Sequence, residues 1–271
     1  MTLGWVVPMG LVVGLALGAL GGGGAILAIP ALVYLLGQPP PAASMGALVI
    51  VAVSAFIGMI PHARAGRVHV VDGIVFGIIG VAGSVAGSHA SALLSGPWLL
   101  TLFAGLLLVV AALMWRRVTT ASLTPGLGEV AQEQPAASGV RSVREPAAYL
   151  RLVATATGVG LLTGFFGVGG GFAVVPALVL ALGLSMRDAV GTSLLVIAIN
   201  SLSALASRLS LGIQLDWLVV GLFAAFAVVG SLVGARVARV IDPSLLTRAF
   251  VVLLVGVAGY TAATNVPMLF G

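Results

Sequence analysis

Two groups of glycines supply the first chemistry in this chain, because each leaves backbone N–H groups free inside an apolar segment. Where a helix restarts after such a break, its unpaired N–H groups and positive dipole end can bind an anion without a cationic side chain. The two glycine runs are LGALGGGGAILAIPALV, from Leu17 to Val33, and TGFFGVGGGFAVVPALV, from Thr163 to Val179. The sequence therefore predicts an anion site formed by the backbone around Gly23, Gly24, Gly169, Gly170 and Gly171.

Polar side chains that follow the second run can add donors to this site. Thr192, Ser193 and Asn200 lie within one apolar span. Ser193 and Asn200 are seven residues apart and therefore share a face of a helix. We expect all three side chains to bind the anion. For the two hydroxyls the alternative is a hydrogen bond to the preceding turn of their own helix.

His62 and Arg208 occupy equivalent positions at the ends of two spans, 146 residues apart. A gate or a proton relay is one interpretation, since histidine titrates near physiological pH. Anchoring at the membrane surface is the other. No acidic residue lies in the middle of a predicted span and the chain has no cysteine, so we predict no catalytic residue, no metal site and no cofactor.

The composition is that of a membrane protein. Of 271 residues, 60% are hydrophobic and 7% are charged, which excludes a soluble enzyme. The twelve basic residues are all arginines, scattered and not interleaved with aromatic residues, so they indicate membrane-edge anchors and not a nucleic-acid site. The expected partners are membrane lipid and a small anionic substrate. Whether the chain also forms a homo-oligomer does not follow from the sequence.

An internal duplication organises these features. Shifting the sequence by 146 residues superimposes the glycine runs and their prolines, Pro30 and Pro176. Each run interrupts an apolar stretch of about 35 residues, too long for one straight crossing and too short for two. We predict an all-α polytopic membrane protein with about eight transmembrane helices in two four-helix repeats, the first helix of each repeat being broken at its glycine-rich motif.

The predicted repeats cover residues 1–117 and 148–271, and a polar linker rich in Pro, Gly and Ser, 118–147, joins them. Arginine counting places the linker in the cytoplasm together with Arg67 and Arg208, with Arg187 and Arg239 outside. Both termini would then also be cytoplasmic. Four spans in each half make the repeats parallel, whereas a re-entrant hairpin or two crossings at each break would allow inverted repeats.

Three segments of the second half resemble the sulfite exporter TauE/SafE family, also called TSUP, of bacterial and organellar membrane permeases. They are TGFFGVGGGFAVVPALVLALGL, AVGTSLLVIAINSLSALASR and GSLVGARVARVI, and the first half echoes them in GSVAGSHA and SAFIGMIPHARAG. The resemblance implies sulfur oxyanions and organosulfonates as substrates. One departure is that Ala47 stands where the second half has Ser193.

Together these features predict a secondary transporter of small sulfur-containing anions in the bacterial inner membrane. The anion would bind between the two broken-helix N-termini at the repeat interface during alternating access, with proton coupling left open. The alternatives are a permease for another small anion, such as a carboxylate, and an intramembrane enzyme, which would need a reactive cluster in the spans. The anion, the direction of transport and the coupling ion do not follow from the sequence.

Overall fold

The computed structural model describes residues 3–91, 96–122, 146–166, 171–208 and 214–265. Within these ranges the chain is all-helical. The helices are α1 (Leu3–Leu20), α2 (Gly23–Pro30), α3 (Pro40–Arg64), α4 (Val70–Ser91), α5 (Gly96–Ser122), α6 (Pro146–Phe166), α7 (Gly171–Leu180), α8 (Met186–Arg208), α9 (Trp217–Val240) and α10 (Pro243–Asn265). Helix α2 continues into a π-helix, Ala31–Leu35. Five of the described helices, α3, α4, α8, α9 and α10, are long and apolar enough to cross a membrane. The predicted all-α polytopic membrane fold is confirmed.

The first glycine run reverses the direction of the chain. After α1 ends, Gly21 has a φ of 69°, a value that side-chain-bearing residues rarely adopt. A Cβ atom on Gly24 would lie 2.6 Å from the Leu17 nitrogen, so the start of α2 lies beside α1 and does not extend it. The predicted break is confirmed, and the hairpin is the arrangement that the first half adopts.

Two buried apolar clusters form the interior. One lies around Ile50 of α3 and Phe223 of α9, and the other around Phe76 of α4 and Phe250 of α10. Large apolar side chains also cover the outside of the helices, as at Val252, which is 68% exposed. Such an apolar exterior is suited to contact with lipid.

Small residues allow helices of the two halves to pack backbone against backbone. Gly14 of α1 lies against Ala227 of α9. One turn further along, Gly18 lies against Ser231. Because both residue numbers increase together, α1 and α9 are parallel. Helices α4 and α6 pack in the same parallel way, at the pairs Gly80–Gly160 and Ser84–Gly164.

The two central helices, α3 and α8, are antiparallel. Their contacts run in opposite numerical order, at the pairs His62–Gly191, Gly58–Leu194 and Ser44–Arg208. Helix α3 is parallel to α9, with Gly46 near Val220 and Gly58 near Ser231, whereas α8 is parallel to α4, with Gly73 near Leu195 and Gly77 near Ile199. Each helix of the first half therefore runs opposite to its counterpart 146 residues later, which makes the halves inverted.

This inversion corrects the predicted topology. Helices α1 and α6 begin at opposite ends of the molecule, so the N-terminus does not share a side with the start of the second half. The prediction that the N-terminus lies on the same side as the linker is therefore wrong, whereas the cytoplasmic position of the linker stays a prediction. The physical reason is the hairpin at the break, which adds one reversal to each half and makes its number of passes odd.

Most arginines of the described helices gather at one end. Arg67 is close enough to Arg187 and Arg239 for their charges to interact, so the prediction that put these residues on opposite sides is wrong. Helix direction places Arg208 at the other end. By the positive-inside rule, we expect the arginine-rich end to be cytoplasmic, and we call the end that carries Arg208 the outer end. At the arginine-rich end are also Arg64, Arg151, Arg236 and Arg248.

This orientation can be tested with single cysteines, because the chain contains none of its own. Gln214 and Ser185 are exposed residues that precede α9 and α8. A membrane-impermeant thiol reagent on intact cells is expected to label Gln214→Cys, and to label Ser185→Cys only after permeabilisation. The reverse pattern would overturn the orientation, and labelling of both in intact cells would mean that α8 does not cross the membrane.

Candidate functional site

The starts of α2 and α7 lie against each other. A Cβ atom on Gly171, the first residue of α7, would lie 2.9 Å from the Gly22 carbonyl oxygen and 3.1 Å from the Ala25 Cβ atom. Gly23 and Gly24 are buried, and Gly22 caps α2 without any side-chain hydrogen bond. The first N–H groups of α2 therefore lack a capping side chain. Gly169 and Gly170 lie outside the described residues.

A cavity of about 330 Å³ lies in the outer half of the molecule, between α2, α3, α4, α6 and α8. It begins beside Asn200, beyond the last close contacts of α8 with α4, and reaches the end of α8. One part of its wall is apolar, formed by residues such as Ile29, Leu48 and Val51. We call it the outer cavity, and its polar lining consists of Ser44, Ser84, Thr163, Asn200, Ser201, Ser203, Ser207 and Arg208.

Arg208 gives the outer cavity a positive charge. It is the last residue of α8, where a cation also interacts favourably with the helix dipole. One guanidinium Nη atom donates a hydrogen bond to the Ser44 hydroxyl across the α3–α8 contact. Among the described residues that line the outer cavity there is no acidic side chain. Within the described residues the guanidinium thus keeps donors beyond its bond to Ser44 and has no counter-ion in the cavity lining.

Three other lining residues have polar atoms without a partner. The Thr163 Oγ1, Asn200 Oδ1 and Ser201 Oγ atoms are buried and make no hydrogen bond within the described part of the chain. Thr163 is 6% exposed and Ser201 is 1% exposed. Buried polar groups are nearly always paired in proteins, so these atoms indicate a site completed by water or by a ligand.

Thr192 and Ser193 lie away from the outer cavity. Both are fully buried, and neither belongs to its lining. The Ser193 hydroxyl donates a hydrogen bond to the Val190 carbonyl at 2.8 Å. This bond to its own helix is the alternative that the sequence analysis gave for the hydroxyls. The Thr192 hydroxyl accepts a hydrogen bond from the backbone N–H of His69 at 3.1 Å. Seven helical residues separate Ser193 from Asn200, about 10 Å along the axis. Ser193 and Asn200 therefore share a face of α8 but do not belong to one site, because only Asn200 lines the outer cavity.

His62 lies at the opposite end of the molecule from Arg208, although the two are equivalent in sequence. Its Nε2 atom is 3.1 Å from the Gly18 carbonyl oxygen, and its Nδ1 atom has no partner among the described residues. The neighbouring charges are those of Arg67 and Arg239. The side chain is buried. A histidine that anchors a helix at the membrane surface would be exposed, so this interpretation of His62 does not hold.

Sequence reasoning missed several lining residues, among them Ser44, Ser84 and Thr163. Each is one of a few hydroxyls in a largely apolar span, and such hydroxyls commonly bond to their own helix. Ser84 and Thr163 lie beside the glycines that pack α4 against α6. The parallel packing of α4 against α6 brings Ser84 and Thr163 to the same cavity, and the sequence alone does not show this packing.

Comparison with known proteins gives a consistent match over almost the whole chain. Residues 6–261 match the family model described as "Sulfite exporter TauE/SafE". A "Probable membrane transporter protein" of Xylella fastidiosa (strain Temecula1) is 34% identical over 258 residues, which cover 93% of this chain and 91% of that protein. No solved structure matches.

Two proteins of Bacillus subtilis (strain 168) are more distantly similar. "Probable membrane transporter protein YdhB" is 26% identical and spans 91% of this chain and 94% of its own length. "Probable membrane transporter protein YunE" is 23% identical and spans 92% of each chain. The similarity therefore extends over full-length membrane proteins and is not confined to the glycine runs.

Proposed function

The chain belongs to the sulfite exporter TauE/SafE family of membrane transporters, and from this premise we propose that it carries small organic sulfonates through the outer cavity. The observation that carries the proposal is Arg208, a guanidinium without an acidic partner in a cavity that also holds unpaired polar atoms. A guanidinium presents a planar set of donors that fits the oxygens of an oxyanion.

The donor set suits binding followed by release. One guanidinium supplies the charge, while neutral hydroxyl and amide groups such as those of Ser201, Ser203 and Asn200 supply the remaining hydrogen bonds. Hydrogen bonds to a charged group contribute about 1.5–3 kcal/mol each. A single cation with neutral donors therefore holds an anion without the very tight binding that would slow its release.

Cavity size supports an organic anion over bare sulfite. The outer cavity measures about 330 Å³, whereas one water molecule takes about 30 Å³ in the liquid. A bare oxyanion would leave most of the space to water. The apolar wall formed by Leu48, Val51, Val81 and Val85 suits the carbon chain of an organosulfonate.

The glycine breaks provide the inner limit of the proposed path. Ala25, two residues after the start of α2, lines the outer cavity and also contacts Gly171 of α7. An anion that moves inward from Arg208 would therefore reach the first turns of α2 and α7, whose dipoles favour negative charge. The site proposed at Gly23, Gly24 and Gly171 is the next position on this path.

A paired set of ligands tests the proposal. Purified protein is expected to gain thermal stability with sulfoacetate and other short organosulfonates, less with sulfite, and least with carboxylates of the same carbon skeleton. Proteoliposome flux should follow the same order, and measurement with and without a pH gradient tests proton coupling. Stabilisation and flux that favour the carboxylate would instead support a carboxylate permease.

A further inference from the structure

We infer that the chain has a second anion site, closed in this structure, at the cytoplasmic end of the same path. It is the counterpart of the outer cavity under the inverted repeat, reached by shifting the lining residues by 146 positions. The inference rests on the proposed function, because it assigns the same class of anion to both sites. Its principal members, which we call the inner cluster, are Gly18, Ser54, Gly58, His62, Ser193 and Ser231.

The inner cluster is assembled and tightly packed. The Ser231 hydroxyl of α9 donates to the Ser54 carbonyl of α3 at 3.0 Å. A Cβ atom on Gly58 would lie 3.2 Å from the Ser231 Cβ atom. His62 Nε2 lies 3.1 Å from the Gly18 carbonyl oxygen. Helices α1 and α9 therefore close against α3 at the cytoplasmic end.

The outer end has the same parts in an open arrangement. The counterparts of Gly58 and Ser231 are Ala204 and Val85, which both line the outer cavity. The counterpart of His62 is Arg208, whose hydrogen bond goes to Ser44 and not to the Gly164 carbonyl. One inverted repeat thus shows a closed gate and the other an open one. Exchange of these two arrangements would open the inner cluster and close the outer cavity.

Unpaired polar atoms give an independent reason to regard the inner cluster as a site. The Ser54 Oγ and His62 Nδ1 atoms are both buried without a hydrogen-bond partner in the described residues, and each residue is 1% exposed. Burying such groups unpaired is unfavourable. An open inner site would pair both atoms with water or with the anion, so their side chains fit a state other than the closed one.

The surroundings of the inner cluster favour an anion. Arg67, Arg187 and Arg239 lie at the cytoplasmic end and outnumber Asp188, the acidic residue whose charge also interacts with Arg67. The backbone N–H of Arg67 donates to the His62 carbonyl at 3.0 Å, which places Arg67 beside the inner cluster. Arg67 Nη1 and Arg187 Nε are buried without partners in the described part of the chain. Positive charge at this end would attract an anion to the opened site.

Two cysteine pairs test the exchange in the otherwise cysteine-free chain. The inner pair is Ser54→Cys with Ser231→Cys, and the outer pair is Val85→Cys with Ala204→Cys. Without ligand, the inner pair is expected to cross-link readily and the outer pair poorly. During anion flux, cross-linking of the outer pair should rise, and either completed cross-link should abolish transport.

The decisive readout is access to the inner cluster from the cytoplasm. Ser54→Cys is combined with the outer pair in inside-out vesicles. Closing the outer cross-link should raise labelling of Ser54→Cys by at least about tenfold, because a state populated at 10% or less becomes the main one. Ser193→Cys in place of Ser54→Cys repeats the measurement at a second position. Wild-type chain without cysteines provides the background.

Normal flux without any change in cross-linking or labelling would overturn the second site. The proposed substrate fails separately: if organosulfonates neither bind nor move, but another anion triggers the exchange, the inner site stands and the substrate assignment does not.

Discussion

Replacing Arg208 with Gln is expected to weaken anion binding by about tenfold to a hundredfold. The change removes the positive charge of the outer cavity and leaves a neutral donor of similar length. Hydrogen bonds to a charged partner contribute about 1.5–3 kcal/mol, which corresponds to this range of affinity. Equilibrium binding of a short organosulfonate to purified protein, with flux in proteoliposomes, measures the effect. Arg208→Lys should retain part of the affinity, because it keeps the charge but loses the planar donors.

Two matched variants separate the cavity charge from other effects. Arg248→Gln removes an exposed arginine at the other end of the molecule, so it changes net charge equally and should leave affinity near that of the wild type. Ser44→Ala removes only the hydrogen bond that orients the guanidinium, so its effect should be smaller than that of Arg208→Gln. Unchanged affinity in Arg208→Gln, with the protein folded, would remove Arg208 from the anion site.

Replacing Gly164 with Ala is expected to reduce the stability of the folded protein strongly. A methyl group there would overlap the backbone of Ser84 in α4, where neither neighbour can rotate away. Overpacking of this kind commonly costs about 1–3 kcal/mol, and more where backbone must shift. The thermal midpoint and the monodisperse fraction in detergent report the loss.

Gly158→Ala is the control for this change, since it lies on the same helix and a Cβ atom there would meet nothing within 4 Å. It should leave the midpoint near the wild-type value or raise it slightly, because alanine is the better helix former. Equal midpoints for the two variants would mean that α4 and α6 do not pack as closely as described.

Some features of this protein could be predicted because they depend on local sequence. A glycine run inside an apolar segment breaks a helix whatever surrounds it, so the break between Leu20 and Gly23 was predictable. The ends of several spans could also be predicted from local sequence. GQPPP leads into the start of α3, and a pair of arginines lies near the end of α5. The likeness to the TauE/SafE family also rested on contiguous motifs, and the family match confirmed it.

The residues of the candidate site could be predicted only in part from the local sequence. Asn200 was selected as a polar group within an apolar span, and Arg208 as the counterpart of His62 at the end of its span; both line the outer cavity. Ser193 was selected for the same reason as Asn200 but bonds within its own helix. Ser44 and Thr163 were missed because nothing in their neighbouring residues distinguishes a hydroxyl that faces a cavity from one that faces its own backbone.

The sequence by itself determined that the chain is a duplicated, all-helical membrane protein with a break in each half. Only the tertiary structure decided that the halves are inverted and that the outer end is open while the cytoplasmic end is closed. The reason is that a repeat in sequence carries no direction in space. Direction depends on whether the chain continues or reverses at Gly21, and the cavity depends on contacts such as Ser44 with Arg208, which join residues 164 positions apart.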